Sequence, residues 1–209
     1  MSDESINKPS RLPRDARRAQ LLAAAQEVFV ANGYHGAAMD EIAEAAQVSK
    51  PVLYQHFPSK RELYLALLDQ QIGELTAQML QALASTDDNR LRVQATIRTY
   101  FEFVSKDDQA HRLIFESDLV NDLEVSARIE AFNATYASAI AEIISHDTAL
   151  SPVEATLLGR GLAGISHVSA RYWVENDDEI PMSTAIDLIY RLAWRGISRF
   201  PKESAPATH

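Results

Sequence analysis

The chain of 209 residues contains no cysteine, and this absence excludes several classes of protein at once. Without thiols there are no disulfides, no thiolate metal ligands and no cysteine nucleophile, which fits a reducing cytoplasm, the location we expect. No apolar run of about 18 residues occurs, so no membrane span is expected. Glycine and proline are scarce, with seven and eight residues, while 46% of the chain is hydrophobic. This composition indicates a folded protein with a sizeable core.

Patterns typical of catalysis and of metal binding are also missing. The six histidines have no spacing that suits metal ligands, and there is no glycine-rich phosphate loop. A dense group of carboxylates is more plainly a solvated helix end than a cation site or an acid/base pair. Its members are Glu116, Asp118, Asp122 and Glu124. We therefore predict that the protein is not an enzyme and holds no metal and no cofactor.

The net charge of −9 at pH 7 is distributed unevenly. Residues 1–64 carry eight basic and eight acidic side chains, whereas the rest of the chain carries twelve basic and twenty-one acidic ones. The acidic excess therefore lies wholly after residue 64. A basic rim on a neutral N-terminal region remains able to bind phosphates while the body stays acidic.

Apolar residues recur three and four positions apart along the chain, and no segment shows the alternation of a strand. The most informative stretch is Met39 to Phe57, MDEIAEAAQVSKPVLYQHF, which predicts two short helices joined by a tight turn. Ser49 is a suitable N-cap for the second helix, and Pro51 falls in its first turn. The inward positions are Ile42, Ala43, Ala46, Leu53 and Phe57. The pattern is that of a helix-turn-helix, although an ordinary corner in a helical core has the same apolar positions.

The outward face of the second helix follows from its inward one. With Leu53 and Phe57 inside, the helical step places Pro51, Val52 and Gln55 outside. Lys50, Tyr54 and His56 lie on the flanks. A short face of this kind, polar at its edges, is typical of a helix that enters a DNA groove.

The segment that follows the corner extends the pattern. Residues 58–64 open a new helix, with Ser59 as cap and Glu62 as its capping-box partner. From Leu22 to Leu68 the chain resembles the DNA-binding domain of the TetR-type bacterial transcriptional repressors, through GY…MDEIAEAA…VSK..LY.HF.SK.EL. Family members usually carry Ser or Thr just before the position of Met39, as helix cap and phosphate donor. Ala37 and Ala38 stand there in this chain, which puts that contact in doubt.

The resemblance implies roles for the exposed residues of the corner. It implies phosphate contacts from Lys50, Tyr54, His56 and Lys60, and base reading by Pro51, Val52 and Gln55. In that role Gln55 would pair with adenine, and Val52 would touch a thymine methyl. Arg14 and Arg17 lie where the N-terminal arm meets the first helix. They are candidates for phosphate or minor-groove contacts, and a solvated helix start is the alternative.

An effector pocket in the helical body is also implied by the resemblance. We expect aromatic walls, with His167 and Arg171 as polar anchors one helical turn apart. The predicted aromatic lining is Phe101, Phe115, Phe132 and Tyr136. A packed core is the alternative for each aromatic residue.

The last two helices are the expected dimer face, because family members pair through that region. The predicted interface residues are Leu158, Gly161, Ile165, Val168, Ile189, Leu192 and Ala193. Packing of the same face within one chain is the alternative.

Together these features predict an all-α protein of about nine helices. Residues 1–62 would form the arm and a three-helix DNA-binding domain, and residues 63–209 a larger helical domain for effector binding and dimerisation. The predicted function is a repressor that binds a palindromic operator in double-stranded DNA as a homodimer. A small apolar or amphipathic ligand would release it, with the helix from Lys60 transmitting the change. The alternative is a helical small-molecule-binding protein or enzyme in which the helix-turn-helix is only structural.

Overall fold

A computed structural model describes residues 12–106, 112, 119 and 121–197. Every regular element within these ranges is a helix, which confirms the all-α prediction, and their number of eight is close to the nine expected. The sequence also predicts a short helix that is capped by Asp107 and Asp108 and runs through Leu119, and this segment lies almost wholly outside the described residues. The helices are α1 (Arg14–Gly36), α2 (Met39–Ala45), α3 (Lys50–His56), α4 (Lys60–Ala84), α5 (Asn89–Val104), α6 (Leu123–Asp147), α7 (Pro152–Val174) and α8 (Met182–Ile197).

The chain divides into two compact units, with the boundary between Leu67 and Leu68, inside α4. In the first unit, α1 to α3 and the start of α4 bury a continuous apolar core. Phe29 and Tyr64 meet edge to face with ring centroids 5.2 Å apart. Gly33 ends the regular part of α1 with a φ of 67°, the left-handed conformation that glycine adopts readily at the C-terminal end of a helix. The fully buried members of this core are Leu21, Ala25, Ile42, Leu53 and Leu63, with Phe29 and Phe57 nearly so.

The turn between α2 and α3 makes the corner sharp. Gln47 has a φ of 53°, a left-handed conformation that reverses the chain, and the Val48 N–H donates to the Ala43 carbonyl at 2.9 Å. The hydroxyl of Ser49 makes no capping bond to α3, so that detail of the prediction was wrong. Ser59 does cap α4, because its Oγ accepts from the Glu62 N–H at 3.1 Å.

The second unit is built from α5 to α8 and the remainder of α4. Side chains cap three of its helices: Asp88 caps α5, Asp122 caps α6, and Ser151 forms a reciprocal capping box with Glu154. Helix α6 packs along α7, and α5 packs against both α7 and α8. Gly159 permits the first of these contacts, because a Cβ added there would lie 2.4 Å from the Ala137 carbonyl oxygen.

No helix in the described part of the chain is both long enough and apolar enough to span a bilayer.

Candidate nucleic-acid interface and effector cavity

The outward face of α3 lies at the surface, where the sequence placed it. Pro51, Tyr54 and Gln55 are exposed, and Tyr54 keeps 45% of its surface open to solvent. Val52 and His56 are partly exposed. Beneath them, Leu53 and Phe57 are buried and fix the rotation of the helix. The polar atoms of Gln55 and Tyr54 are therefore presented outward from a rigid base, as base-reading or phosphate-binding groups must be.

Lys50 is exposed and carries a charge partner on the neighbouring helix. Its Nζ lies 2.6 Å from Oδ2 of Asp40, and both side chains are about 60% exposed. An exposed pair of this kind contributes little to stability, so a phosphate can displace the carboxylate at small cost. Its predicted phosphate contact is thus sterically open.

Lys60 is partly buried, and its ammonium group is already hydrogen-bonded within the chain. Its ammonium donates to the carbonyls of Tyr34 at 2.7 Å and Ala37 at 2.8 Å, with that of His35 at 3.3 Å. The same atom lies 4.7 Å from the centre of the Tyr34 ring. Lys60 therefore ties the end of α1 to the start of α4, and its predicted phosphate contact would compete with these bonds.

Arg14 is exposed at the first turn of α1, and Arg17 is partly buried behind it. The Arg17 guanidinium donates to Oε1 of Gln20 at 2.7 Å, and the Gln20 amide donates in turn to the Ala46 carbonyl at 2.8 Å. This relay holds the end of α2 against α1. Arg17 thus has a positioning role that the sequence did not indicate.

Helix α2 begins without the Ser or Thr hydroxyl that family members usually carry just before the position of Met39. Ala38 occupies the N-cap position and has no side-chain acceptor, so only half of a capping box forms. The Ala38 N–H donates to Oε2 of Glu41 at 3.1 Å. The helix start is held by an acid instead, without the hydroxyl that family members usually offer to a phosphate.

A cavity of about 280 Å³ lies within the second unit, between α5, α6, α7 and α8 and the end of α4. Its walls are mostly apolar, and this is the character expected of a site for an apolar molecule. The apolar lining is Leu83, Val93, Ile97, Ile140, Ile143, Ile144, Leu158, Leu162, Ala193 and Trp194.

The polar groups of the cavity form two separate sets. Asn89, Arg92, Asp147 and Thr148 are partly exposed and form its mouth. Thr96, Tyr136 and Ser166 are buried and form its inner end. At the inner end Tyr136 is hydrogen-bonded to Thr96, and burial raises the pKa of the Tyr136 hydroxyl well above its ordinary value. The hydroxyl is therefore neutral at any physiological pH and acts only through hydrogen bonds.

The predicted pocket residues fall mostly outside this cavity. Tyr136 lines it, and Phe132 stacks on the Tyr136 ring from behind, with centroids 6.4 Å apart. Phe101 is fully buried against Trp173, with ring centroids 5.5 Å apart, so the alternative of a packed core holds there. Arg171 is exposed, 3.9 Å from Glu175 on its own helix. Phe115 lies outside the described residues.

His167 is half-buried and bonded to the core instead of lining the cavity. Its Nδ1 lies 2.9 Å from the Tyr100 hydroxyl. Burial lowers the pKa of His167, and the nearby charge of Arg171 lowers it further. Both causes disfavour the imidazolium, so the ring is neutral near pH 7. His167 and Arg171 are thus not part of the lining of this cavity, and their role as polar anchors stays a prediction.

The mouth residues are the ones that sequence reasoning missed. Asn89 and Arg92 are one helical turn apart at the start of α5, and Asp147 is the last residue of α6. Taken alone, each fits a solvated helix end, and only packing brings them together. The sequence offered one indication of the mouth: Asn89 and Arg92, two polar residues three positions apart, stand on a helix whose inner face is otherwise apolar.

The exposed face of α7 and α8 is strongly apolar. Val168 is 64% exposed and Leu192 61%, while Gly161 and Gly164 have open space where a Cβ would stand. Ile165 and Ile189 are partly exposed on the same helices. Further large apolar residues, not predicted as interface, share this exposure: Val153, Leu157, Tyr172 and Leu188. So much exposed apolar surface is typical of a protein–protein contact.

Two predicted interface residues point inward instead. Ala193 is only 4% exposed, and both it and Leu158 line the cavity within a single chain. The physical reason is the helical step: residues one position from an exposed leucine turn about 100° toward the core. In the single chain Leu158 and Ala193 thus lie on the cavity side of their helices, and the interface as a whole stays a prediction.

Comparison with known proteins places these features in a family. The family described as "Bacterial regulatory proteins, tetR family" matches residues 21–67, which include the corner. The HTH-type transcriptional activator FasR of Mycolicibacterium smegmatis is 47% identical over 192 residues, or 92% of this chain and 88% of FasR.

Solved structures agree on the fold. A TetR-like transcriptional regulator from Rhodococcus sp. RHA1 superposes with a TM-score of 0.68 and 28% identity, covering 90% of this chain and all of that one. The regulator FadR from Bacillus subtilis, crystallised in complex with stearoyl-CoA, gives a TM-score of 0.66 at 21% identity. That match covers 86% of this chain and 98% of FadR.

Proposed function

The chain belongs to the TetR family of bacterial transcriptional regulators, and we propose that it binds a palindromic operator as a homodimer under the control of a long-chain acyl thioester. The observation that carries the DNA part is the exposed face of α3 on its buried base. Gln55 offers an amide that matches the edge of adenine, and Lys50 and Tyr54 flank it for phosphates. Two such helices, related by a two-fold axis, would enter successive major grooves.

The effector proposal rests on the cavity of the second unit. Its volume of about 280 Å³ and its apolar walls suit part of a hydrocarbon chain, and among the described residues its charged lining is confined to Arg92 and Asp147 at the mouth. The bulky coenzyme portion of an acyl thioester would then remain outside the mouth. The complex of FadR with stearoyl-CoA supports this class, because that fold holds such a ligand.

The homodimer proposal rests on the apolar face of α7 and α8. Exposed leucine, valine and tyrosine side chains on two adjacent helices would become buried against a second copy. A two-fold pairing of two helices from each copy forms a four-helix packing, which also sets the spacing of the two reading helices.

The direction of regulation stays a prediction. The sequence resemblance favours a repressor, whereas the 47% identical relative is named an activator. A reporter assay on the operator, with and without the protein, distinguishes the two.

Titration of duplex DNA from upstream of the chain's own gene tests the proposal, with free coenzyme A as the control for stearoyl-CoA. We expect sequence-dependent binding that stearoyl-CoA changes and free coenzyme A does not. A Tyr54→Ala, Gln55→Ala double variant provides the matched protein control, since both side chains are exposed and their loss should leave folding intact. If the protein binds stearoyl-CoA yet shows no preference for any duplex, the alternative of a helical small-molecule-binding protein is correct.

A further inference from the structure

Three buried hydroxyl groups meet at the inner end of the cavity in the second unit. Thr96 of α5, Tyr136 of α6 and Ser166 of α7 each keep at most 5% of their surface exposed, and all three line the cavity. Three helices thus each contribute one hydroxyl to the same end of an otherwise apolar space. We call these three residues the hydroxyl cluster.

The hydrogens of the hydroxyl cluster are not equally well bonded. Thr96 Oγ1 donates to two carbonyls of its own helix, both at 3.0 Å. Because that hydrogen is taken, the bond between Thr96 and Tyr136 uses the hydrogen of Tyr136. The Ser166 hydroxyl has one bond among the described residues, to the Leu162 carbonyl at 3.5 Å, well beyond the usual O–H···O length of about 2.7–2.8 Å. Ser166 is therefore the donor that a closer acceptor would attract.

The hydroxyl cluster also has an oxygen that can accept. Tyr136 stays neutral because burial raises its pKa, and its oxygen keeps lone pairs once its hydrogen is given to Thr96. The inner end thus offers a donor at Ser166 and an acceptor at Tyr136. An alcohol group satisfies both, since its oxygen accepts from the first and its hydrogen is donated to the second.

Apolar walls separate the hydroxyl cluster from the mouth of the cavity. On α6, three isoleucines of the lining stand between Tyr136 and Asp147, which are eleven residues apart. On α5, Thr96 lies seven residues from Asn89. At 1.5 Å per residue, the two polar ends are about 10–16 Å apart along these helices. An extended chain covers about 1.2 Å per bond, so a chain that joins the two ends has about 9–14 bonds.

We propose that the effector is an acyl thioester whose chain carries an alcohol group about 9–14 bonds from the thioester, and that the hydroxyl cluster binds this alcohol. The apolar walls hold the methylene groups between the two polar ends. A plain hydrocarbon would leave the Ser166 hydrogen with its 3.5 Å bond and would gain nothing from the Tyr136 oxygen. This inference rests on the proposed function, since it takes the acyl thioester and its orientation at the mouth from there.

A purely structural role for the hydroxyl cluster makes the opposite prediction. If the hydroxyls serve only one another or ordered water, a buried alcohol loses its bonds to bulk water and gains no better ones, so it binds more weakly than a methyl group. The quantity that separates the two roles is the preference ratio. We define it as the Kd of dodecanoyl-CoA divided by the Kd of 12-hydroxydodecanoyl-CoA.

Calorimetry on the full-length protein, without DNA, measures this ratio. In 12-hydroxydodecanoyl-CoA the alcohol oxygen lies within the expected distance of the thioester, whereas in the isomer 3-hydroxydodecanoyl-CoA it stays near the mouth. The isomer has the same composition, so it controls for polarity alone. We expect the wild-type protein to bind 12-hydroxydodecanoyl-CoA about tenfold more tightly than either of the other two, as one or two net hydrogen bonds allow.

Two variants remove the groups that would bind the alcohol. Ser166→Ala removes the donor with little change of shape, and the preference ratio should fall to unity or below. Tyr136→Phe removes the acceptor and keeps the ring that stacks on Phe132, so it should also lower the ratio, and it carries the test if Ser166→Ala does not fold. Ser169→Ala is the matched control, because Ser169 lies on the same helix outside the cavity lining and should keep the wild-type ratio. Dodecanoyl-CoA should bind all four proteins alike.

Several results would overturn the inference while the proposed effector class stands. One is equal or tighter binding of dodecanoyl-CoA, or of the 3-hydroxy isomer, by the wild-type protein. Another is a preference ratio that survives in both Ser166→Ala and Tyr136→Phe, or that Ser169→Ala lowers as much as they do. If neither these thioesters nor stearoyl-CoA bind, the proposed effector class fails as well, and this inference fails with it.

Discussion

The two compact units of the chain distribute their apolar surface in opposite ways. In the first unit most large apolar side chains among the described residues are buried, and those left exposed are Leu12 and Tyr54. The second unit encloses a cavity and also exposes apolar residues on the outer side of α7 and α8, among them Leu157 and Val168. The first unit thus exposes little large apolar surface among its described residues. The second leaves apolar surface both inside and outside, which a ligand and a second copy would cover.

The two units would derive their binding free energy from different kinds of interaction. DNA binding by the first unit depends on charges and hydrogen bonds, so it varies with salt. Binding by the second unit depends on apolar burial, which depends little on salt. The proposed acyl ligand and the proposed partner copy would both act on the second unit, so substitutions there should change assembly and ligand response before they change base preference.

The largest effect expected is on assembly. Leu157→Glu places a charge on the exposed apolar face of α7, where 71% of the leucine surface is open in the single chain. If a second copy covers this face, an unpaired buried charge costs about 3–5 kcal/mol, and the dimer should dissociate at micromolar concentration. Sedimentation velocity measures this directly.

Leu123→Glu is the matched control, because Leu123 is 87% exposed at the start of α6 and belongs to neither α7 nor α8. It should leave the assembly unchanged. Equal sedimentation of both variants as dimers would show that α7 and α8 do not form the interface, and the second unit would then need another explanation for its apolar exterior.

The next effect is on packing inside the second unit. Gly159→Ala brings a Cβ to 2.4 Å from the Ala137 carbonyl oxygen, a contact that forces α6 and α7 apart. The expected loss is about 1–3 kcal/mol in the free energy of unfolding. Gly161→Ala, two residues on, meets no atom within 4 Å and should instead gain about 1 kcal/mol from helix propensity. Denaturant titration measures the free energy of unfolding of both variants, which should change in opposite directions. An equal decrease in both would contradict this prediction.

The two units also differ in how far their sequences predict them. The corner of the first unit is specified by residues close in sequence: the inward positions, the capping of α4 by Ser59 and the exposure of Gln55 all follow from helical spacing. The cavity depends on which helices meet, which helical spacing alone does not determine. Asn89 and Asp147 are 58 residues apart and hydrogen-bonded, and nothing in either local pattern indicates the other.

Lys60 shows the same limit inside the first unit. Its place in the motif suggests a phosphate contact, but three carbonyls at the end of α1 surround its ammonium. The side chain reaches them because α1 and α4 pack together, which is a tertiary fact. Spacing thus predicted which faces are buried, and it predicted less well what a long charged side chain touches.

A smaller effect is expected for base reading in the first unit. Gln55→Ala should remove one hydrogen-bonding side chain per half-site without disturbing the buried base of α3. We expect a loss of about 1 kcal/mol of discrimination at one base pair, the low end of the range for an amide that reads adenine. Selection from a randomised operator measures this, with Glu44→Ala, exposed on α2, as the control. An unchanged consensus would remove Gln55 from the reading set and leave α3 to act through phosphates alone.

The smallest effect is a pH dependence confined to the second unit. Burial, helped by the charge of Arg171, lowers the pKa of His167 in the folded chain below its ordinary value of about 6.5. Above that pH both states carry a neutral ring, so stability is unaffected. As the pH falls below it, the unfolded chain takes up the proton first, and the free energy of unfolding decreases until the folded ring is protonated as well.

His167→Gln removes this titration and keeps a side chain able to bond the Tyr100 hydroxyl, which lies 2.9 Å from Nδ1 in the wild-type protein. Between pH 6.5 and 5 its stability should therefore decline less steeply than that of the wild type. Asp147, whose pKa is lowered chiefly by its bond from Asn89, loses its contribution only below about pH 4 and does not interfere in this window. If the free energy of unfolding changes equally with pH in the two proteins between pH 7 and 5, the folded surroundings stabilise the charged and the neutral forms of His167 to the same extent.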